Sequence, residues 1–165
     1  MKDLLDKLSS YNIFNYLFPG ILFVIFAEKF TSIALIQKDI ILGVFLYYFI
    51  GLVISRIGSL CIEPLLKKIG FLIFAEYSEF ISAAKLDGKL EILSEQNNMY
   101  RTLCSLFLSI TMIKSYEWIT EKYSVVAGWG RELTIVGLLV LFIFAYRKQT
   151  GYITKRIKAA LKKDK

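Results

Sequence analysis

Lys114 and Glu117 stand three residues apart at the edge of a stretch, Thr102 to Ile113, that carries no charged residue. On a helix that spacing lets an ammonium and a carboxylate pair. Ionisable groups inside a membrane-spanning helix suggest function by default, because each is costly there. Close to the interface, however, a lysine reaches water along its own stem, and snorkelling with a local ion pair is the favoured reading. A second polar constellation, Asn12, Asn15 and Pro19, falls at i, i+3 and i+7 within "YNIFNYLFPG" and so shares one helix face. An amide turned to lipid tails would be unpaired, whereas a hydrogen bond between membrane helices contributes about 0.6–2 kcal/mol. That face must therefore meet protein or water. Fixing the register of the first helix is the favoured role, lining the inner mouth of a pore or gating hinge the second, and capping by Ser10 or Asn12 the third.

Little else in the chain offers chemistry. Histidine is absent, and there is no G-x-S-x-G, no phosphate-cradling glycine loop and no pair of carboxylates within an apolar run. The two cysteines, Cys61 and Cys104, lack metal-ligand spacing and read as free thiols in a reducing compartment. No enzyme, no metal and no cofactor is expected. A transporter is disfavoured as well, since no inverted repeat and no mid-membrane acid is visible.

The elements that carry these residues follow from composition. Of 165 residues 56% are hydrophobic, and mean hydropathy is +0.53. Uncharged blocks run over Ile40–Ile54, Thr102–Ile113 and Leu133–Tyr146. A hydrocarbon core about 30 Å thick needs roughly 20 helical residues, so the blocks reach that length only with their polar edges. The runs are continuous rather than alternating, which selects helices over a barrel. The expected class is an all-α polytopic membrane protein with four transmembrane helices, at 12–29, 39–56, 102–119 and 131–148. A cytoplasmic helical hairpin is expected between the second and third. Starting the first span near Asn12 keeps Glu28 and Lys29 at the far interface and predicts a kink near Pro19.

The expected organisation is an interfacial amphipathic helix over 1–10, membrane helices 1 and 2 over 11–57, the hairpin over 58–101, membrane helices 3 and 4 over 102–148, and a basic amphipathic tail over 149–165. In the first segment Met1, Leu4, Leu5 and Leu8 share a face opposite Lys2, Asp3, Asp6 and Lys7, and its charge argues against a secretory signal peptide. In the tail Ile153, Ile157, Ala160 and Leu161 share a face, and a surface-lying helix is favoured over plain continuation of the fourth span. Asp87-Gly88 supplies the turn of the hairpin. "FLIFA", 71–75, is too short to span and is expected at the interface or under the bundle. Trp118, Tyr123 and Trp129 suit an aromatic belt at the outer boundary.

Sixteen of the 21 Lys and Arg lie in the two termini, the middle segment and the tail, against four (Lys29, Lys38, Lys122, Arg131) in the other loops and Lys114 within a span. By the positive-inside rule both termini and the long middle segment are cytoplasmic in a bacterial inner membrane. The net charge of +7 then reflects topology and attraction to anionic lipid, and direct nucleic-acid binding is not expected. In the second span Gly43, Tyr47, Gly51, Ser55 and Gly58 form a stripe of mostly small residues along one face, a helix-packing surface within the monomer or between subunits. The hairpin residues Lys85, Asp87, Lys89, Glu91, Glu95, Asn97, Asn98 and Arg101 are the candidate contacts for a soluble cytoplasmic partner.

"YNIFNYLFPG" and "LSEQNNMYR" are similar to stretches in short bacterial membrane proteins found beside anti-phage defence genes. Together with the architecture they resemble the four-span KwaA-like membrane subunits of the Kiwa system. That resemblance implies a homo-oligomeric, tetrameric inner-membrane sensor holding a soluble DNA-binding partner, and it assigns no residue a role. The expected function is a non-enzymatic membrane sensor or scaffold of anti-phage defence. The alternative is a pore-forming or membrane-depolarising effector of abortive infection.

Overall fold

The chain's two prolines shape the first half of the fold. A proline removes one backbone donor, and its ring collides with the carbonyl four residues back. The computed structural model, which describes residues 10–123 and 128–161, answers both prolines in the same way. A π-helical turn, Ile13–Leu17, precedes Pro19, and a second, Gly58–Ile62, precedes Pro64. Each closes on the residue just before its proline: Phe18 N donates to Ile13 O, and Glu63 N to Gly58 O. The wider i→i+5 turn makes room for the ring within a continuing helix. Near Pro19, where a kink was expected, the helix carries a π-turn.

The first helical segment is Ser10–Asn12, the π-turn, and α1 (Phe18–Phe30). A connector over 31–39 leads to α2 (Ile40–Ile57), whose first turn is capped by Asp39 Oδ1 accepting from Leu42 N at 2.9 Å. Through the second π-turn α2 runs on into α3 (Glu63–Lys68), well past the end near residue 56 that the hydropathy suggested. Gly70 stops it. Its φ of 76° is left-handed, with Gly70 N donating to Lys67 O and Phe71 N to Leu66 O. That is the Schellman arrangement, which glycine adopts without strain. The "FLIFA" stretch follows as non-helical backbone, with Ile73 94% exposed.

Next come α4 (Tyr77–Leu86), α5 (Lys89–Lys122) and α6 (Gly130–Leu161). Asp87-Gly88 is the turn between α4 and α5, with Asp87 Oδ1 accepting from Lys89 N at 2.9 Å. The described part of the tail, through Leu161, simply continues α6. Over those residues the tail is therefore helical in continuation of α6, without a break that would set a separate surface helix apart. The expected amphipathic helix over 1–10 lies outside the described residues but for Ser10.

Among the described residues the fold is all helix with no strand. Three helical segments, Ile13–Phe30, Ile40–Lys68 and Gly130–Leu161, are long and apolar enough to cross a membrane. The expected third span, within α5, is diluted by Lys114, Glu117 and several hydroxyls and is not among them.

The core joins α1, α2 and α5: Phe23, Val24, Ala27, Ile54, Leu106 and Ile110 pack together, with Leu106 0% exposed. α1 and α2 touch at backbone level. A Cβ built on Gly20 would collide with the carbonyl of Tyr47, and one built on Gly51 with the carbonyl of Tyr16. In lipid, burying leucine against leucine gains little over burying it in acyl chains. Close approach of this kind, with interhelical hydrogen bonds such as Ser105 Oγ to Ile54 O at 2.8 Å, is what holds such helices together. α6 packs more loosely, touching the rest where Gly130 lies against the Tyr116 side chain of α5, where Phe142 stacks on Phe49 with ring centroids 6.1 Å apart, and through its Lys148–Tyr152 turn.

Candidate functional site: a basic cavity at one end of the bundle

Where α2 passes into α3, a glutamate next to Pro64 meets three cations. Glu63 is 6% exposed. Its Oε2 accepts from Arg101 of α5 at 2.6 Å, and its Oε1 from Lys67, one turn on, at 3.1 Å. Lys148 of α6 approaches Oε1 at 3.5 Å. The Lys148 ammonium also donates to Ser59, to the carbonyl at 2.5 Å and to the hydroxyl at 2.8 Å. One carboxylate thus ties three helices together. An excess of positive charge remains, because a single negative group faces Arg101, Lys67 and Lys148. Arg101 Nε is buried with no partner.

This node forms the floor of a cavity of about 1130 Å³. One wall is aromatic and basic. Arg56 donates to the Tyr16 hydroxyl at 3.0 Å, and Tyr16 packs edge-on against Tyr11, with centroids 5.8 Å apart, and against Tyr48 at 5.6 Å. The opposite wall is apolar: Leu72, Ile73, Phe74, Phe80, Leu90 and Leu93. Tyr77 of α4 and Tyr152 of α6 close one side with centroids 6.1 Å apart, and the Lys67 ammonium lies 4.0 Å over the Phe74 ring.

Both π-turns serve this site. The first buries Asn15 and Tyr16, and the second buries Ser59, so the widened turns deliver Tyr16 and Ser59 to the cavity wall. Asn15 itself is 1% exposed and faces protein. Its Nδ2 donates to Tyr11 O at 3.2 Å, and its Oδ1 is without a partner. Pro19 is buried beside it, while Asn12 precedes the turn in helical geometry without a side-chain capping bond.

The residues singled out in the sequence divide between sites. Gly51 meets α1, and Gly58 faces Arg101 and Ser105 of α5. Ser55 is buried and reaches the cavity lining. Gly43 lies under the ring of Tyr47, whose hydroxyl accepts from Gln37 N at 3.0 Å. That stripe is accordingly occupied from within the chain. Of the hairpin candidates, Asn97, Asn98 and Arg101 line the cavity, whereas Lys85, Asp87, Lys89, Glu91 and Glu95 are exposed and turn away from it.

Lys114 and Glu117 belong to the opposite end of the bundle. They pair at 3.2 Å with the lysine largely exposed. Glu117 also accepts from both Ser32 N and Ser32 Oγ at 2.6 Å, clamping the 31–39 connector to α5. Trp118, Tyr123 and Trp129 are exposed at this end, and Cys61 and Cys104 are free and exposed elsewhere.

Sequence reasoning missed Glu63, Arg56, Lys67, Lys148 and the tyrosines. The available signal was position. Glu63 precedes a proline, Arg101 precedes an uncharged run and Lys148 follows one, each at an expected span boundary. Comparison of the chain with protein-family models, curated proteins and solved structures gives no match in any of the three.

Proposed function

We propose that the chain crosses a bacterial inner membrane four times and acts, without enzymatic activity, as a homo-oligomeric sensor or scaffold that recruits a soluble cytoplasmic protein. The observation that carries the fourth span is the place of α5 in the core. Thr102, Ser105, Leu106 and Ile110 are buried against α1 and α2. A helix packed along two membrane-spanning helices over that length shares their solvent. Its Thr102 and Ser105 hydroxyls are buried, the exposed Thr111 and Ser115 hydroxyls bond back to the carbonyls of Phe107 and Thr111, and the exposed Phe107, Leu108 and Met112 suit lipid. The depths agree as well. Counting about 20 residues from Asp39, from Lys122 and from Gly130 brings the three helices to Ser59, Thr102 and Thr150. Those positions adjoin Glu63, Arg101 and Lys148, so the charged node falls at a single hydrocarbon boundary.

The excess of Lys and Arg on that side makes it the cytoplasmic one. At 1.5 Å per residue α5 is about 50 Å long, so its first turns stand clear of the bilayer together with α4, as a hairpin bent at Asp87-Gly88. The exposed Lys85, Asp87, Lys89, Glu91 and Glu95 then face the cytosol as the recruiting surface. The anti-phage setting, and a tetramer, rest on the likeness of "YNIFNYLFPG" and "LSEQNNMYR" to Kiwa membrane subunits. Reporters fused after Gly88 and after Lys165 are both expected on the cytoplasmic side, and a soluble partner is expected to co-purify until residues 85–101 are replaced. A periplasmic reporter at either place overturns the topology. Rapid depolarisation of cells by this protein alone overturns the scaffold in favour of a depolarising effector.

A further inference from the structure

We infer that the cavity beside Glu63 is a binding site for an anionic phospholipid. In it the phosphate is held by Arg56 and Arg101 and an acyl chain lies along the Leu72–Phe74 and Phe80 wall. The inference rests on the four-span topology, which puts the cavity at the inner hydrocarbon boundary.

Charge is the first argument. Four cations line the cavity (Arg56, Lys67, Arg101 and Lys155) against two carboxylates, Glu63 and Glu76. Glu63 is taken by Arg101, Lys67 and Lys148. Among the described residues Arg56 has no carboxylate within ion-pair distance, and it donates to the Tyr16 hydroxyl at 3.0 Å. Arg101 retains a buried Nε donor without a partner. A guanidinium that keeps a spare donor at a desolvated wall is the group that recognises phosphate oxygens by paired N–H donors.

Shape is the second. A soluble phosphate needs polar walls all round, but here one wall is Leu72, Ile73, Phe74, Phe80, Leu90 and Leu93. A volume of about 1130 Å³ far exceeds a phosphate ion and accommodates a headgroup with part of its chains. Phe71 and Ile73, on the same non-helical loop, are strongly exposed, as residues dipping into the inner leaflet would be. Basic pockets between membrane helices on the cytoplasmic side take anionic headgroups. The node gives the lipid a consequence: bound at Arg101, it competes with Glu63 for the guanidinium that ties α5 to α3.

The test uses the full-length chain in uncharged detergent and native mass spectrometry. Phosphatidylglycerol and phosphatidylcholine are titrated separately, with inorganic phosphate as competitor. Phosphatidylglycerol is expected to bind at least about tenfold more tightly than phosphatidylcholine, with millimolar phosphate displacing little of it. Loss of one lining cation costs about fivefold, so Arg56→Gln and the exposed rim variant Lys155→Gln should each lower the preference by that factor. Lys158→Gln, on the same helix outside the cavity, should leave it unchanged. Equal binding of both lipids overturns the inference, and so does equal loss in Lys158→Gln, which would mean diffuse attraction. Full displacement by phosphate would make the site one for a soluble anion. Reporter fusions settle the topology separately, so loss of lipid preference in a chain of correct orientation sinks this inference alone.

Discussion

Gly51→Ala is the sharpest probe of the core, because the same substitution elsewhere should have the opposite sign. Alanine is the better helix former by about 0.8–1 kcal/mol. At Gly137 of α6 nothing lies within 4 Å of a new Cβ, so Gly137→Ala should be neutral or slightly stabilising. At Gly51 the new methyl meets the carbonyl of Tyr16 and comes within 3.0 Å of Gly20 N. These are backbone atoms that cannot turn aside, so α1 and α2 must part by on the order of an ångström to restore normal contact. A gap of about 0.5–1 Å already forfeits a quarter to a half of each dispersion contact. The Phe23, Val24, Ala27 and Ile54 contacts across that crossing all weaken together. Overpacking of this kind costs about 1–3 kcal/mol, and the rigidity of the obstacle puts Gly51→Ala at the upper end, roughly 5–10 °C in Tm. Thermal unfolding in detergent reads it. Because one separation relieves both clashes, Gly20→Ala with Gly51→Ala should cost clearly less than the two singles together. A Gly51→Ala protein as stable as Gly137→Ala would refute the backbone-level crossing.

Two further outcomes follow from the ends of the bundle. Glu63→Gln leaves Arg101, Lys67 and Lys148 crowded without their shared anion and should destabilise the protein by about 2–4 kcal/mol. The double variant with Arg101→Gln should recover part of that loss in thermal unfolding, and strict additivity would argue against a direct pair. At the other end, Glu117→Ala should speed hydrogen exchange of the Ser32 amide at least tenfold. Lys114→Ala should barely move it, since Ser32 bonds to Oε1 and Lys114 to Oε2; equal protection in both variants would exclude the clamp.

The helical class was legible because lipid leaves so few options for a continuous apolar run. The α4–α5 turn was legible because Asp87-Gly88 is a local signal, and the pairing of Lys114 with Glu117 because i, i+3 contacts are local too. What stayed hidden depends on distance. Nothing near residue 63 announces that it will meet residues 101 and 148, and Gly51 looks the same in sequence whether its neighbour is α1 or another subunit. Ser32, which donates two hydrogen bonds to Glu117, is 85 residues away from it. The continuity of the tail with α6 was hidden because its basic amphipathic pattern fits a separate helix and an extended α6 equally well. Only packing, through Lys148 on Ser59 and Tyr152 on Tyr77, distinguishes them.

The prolines pose a last question: whether Pro64 imposes the second π-turn or merely tolerates it. Pro64→Ala restores an N–H that could bond to Leu60 O and convert the turn to α-helix. That conversion removes one residue from the register and rotates α3 about 100° relative to α2. Glu63 would then swing away from Arg101 and Lys148. The gain is one backbone hydrogen bond, about 0.5–1.5 kcal/mol, while the loss is two charge-assisted contacts at about 1.5–3 kcal/mol each. The node should win, so the π-turn persists and Pro64→Ala alone changes stability by no more than about 1 kcal/mol. With Glu63→Gln the balance tips, and adding Pro64→Ala to that background should stabilise the protein, by up to the same backbone gain. A double-mutant cycle in detergent reads the coupling. If Pro64→Ala alone proves as damaging as Glu63→Gln, the proline holds the turn and the glutamate only benefits from it.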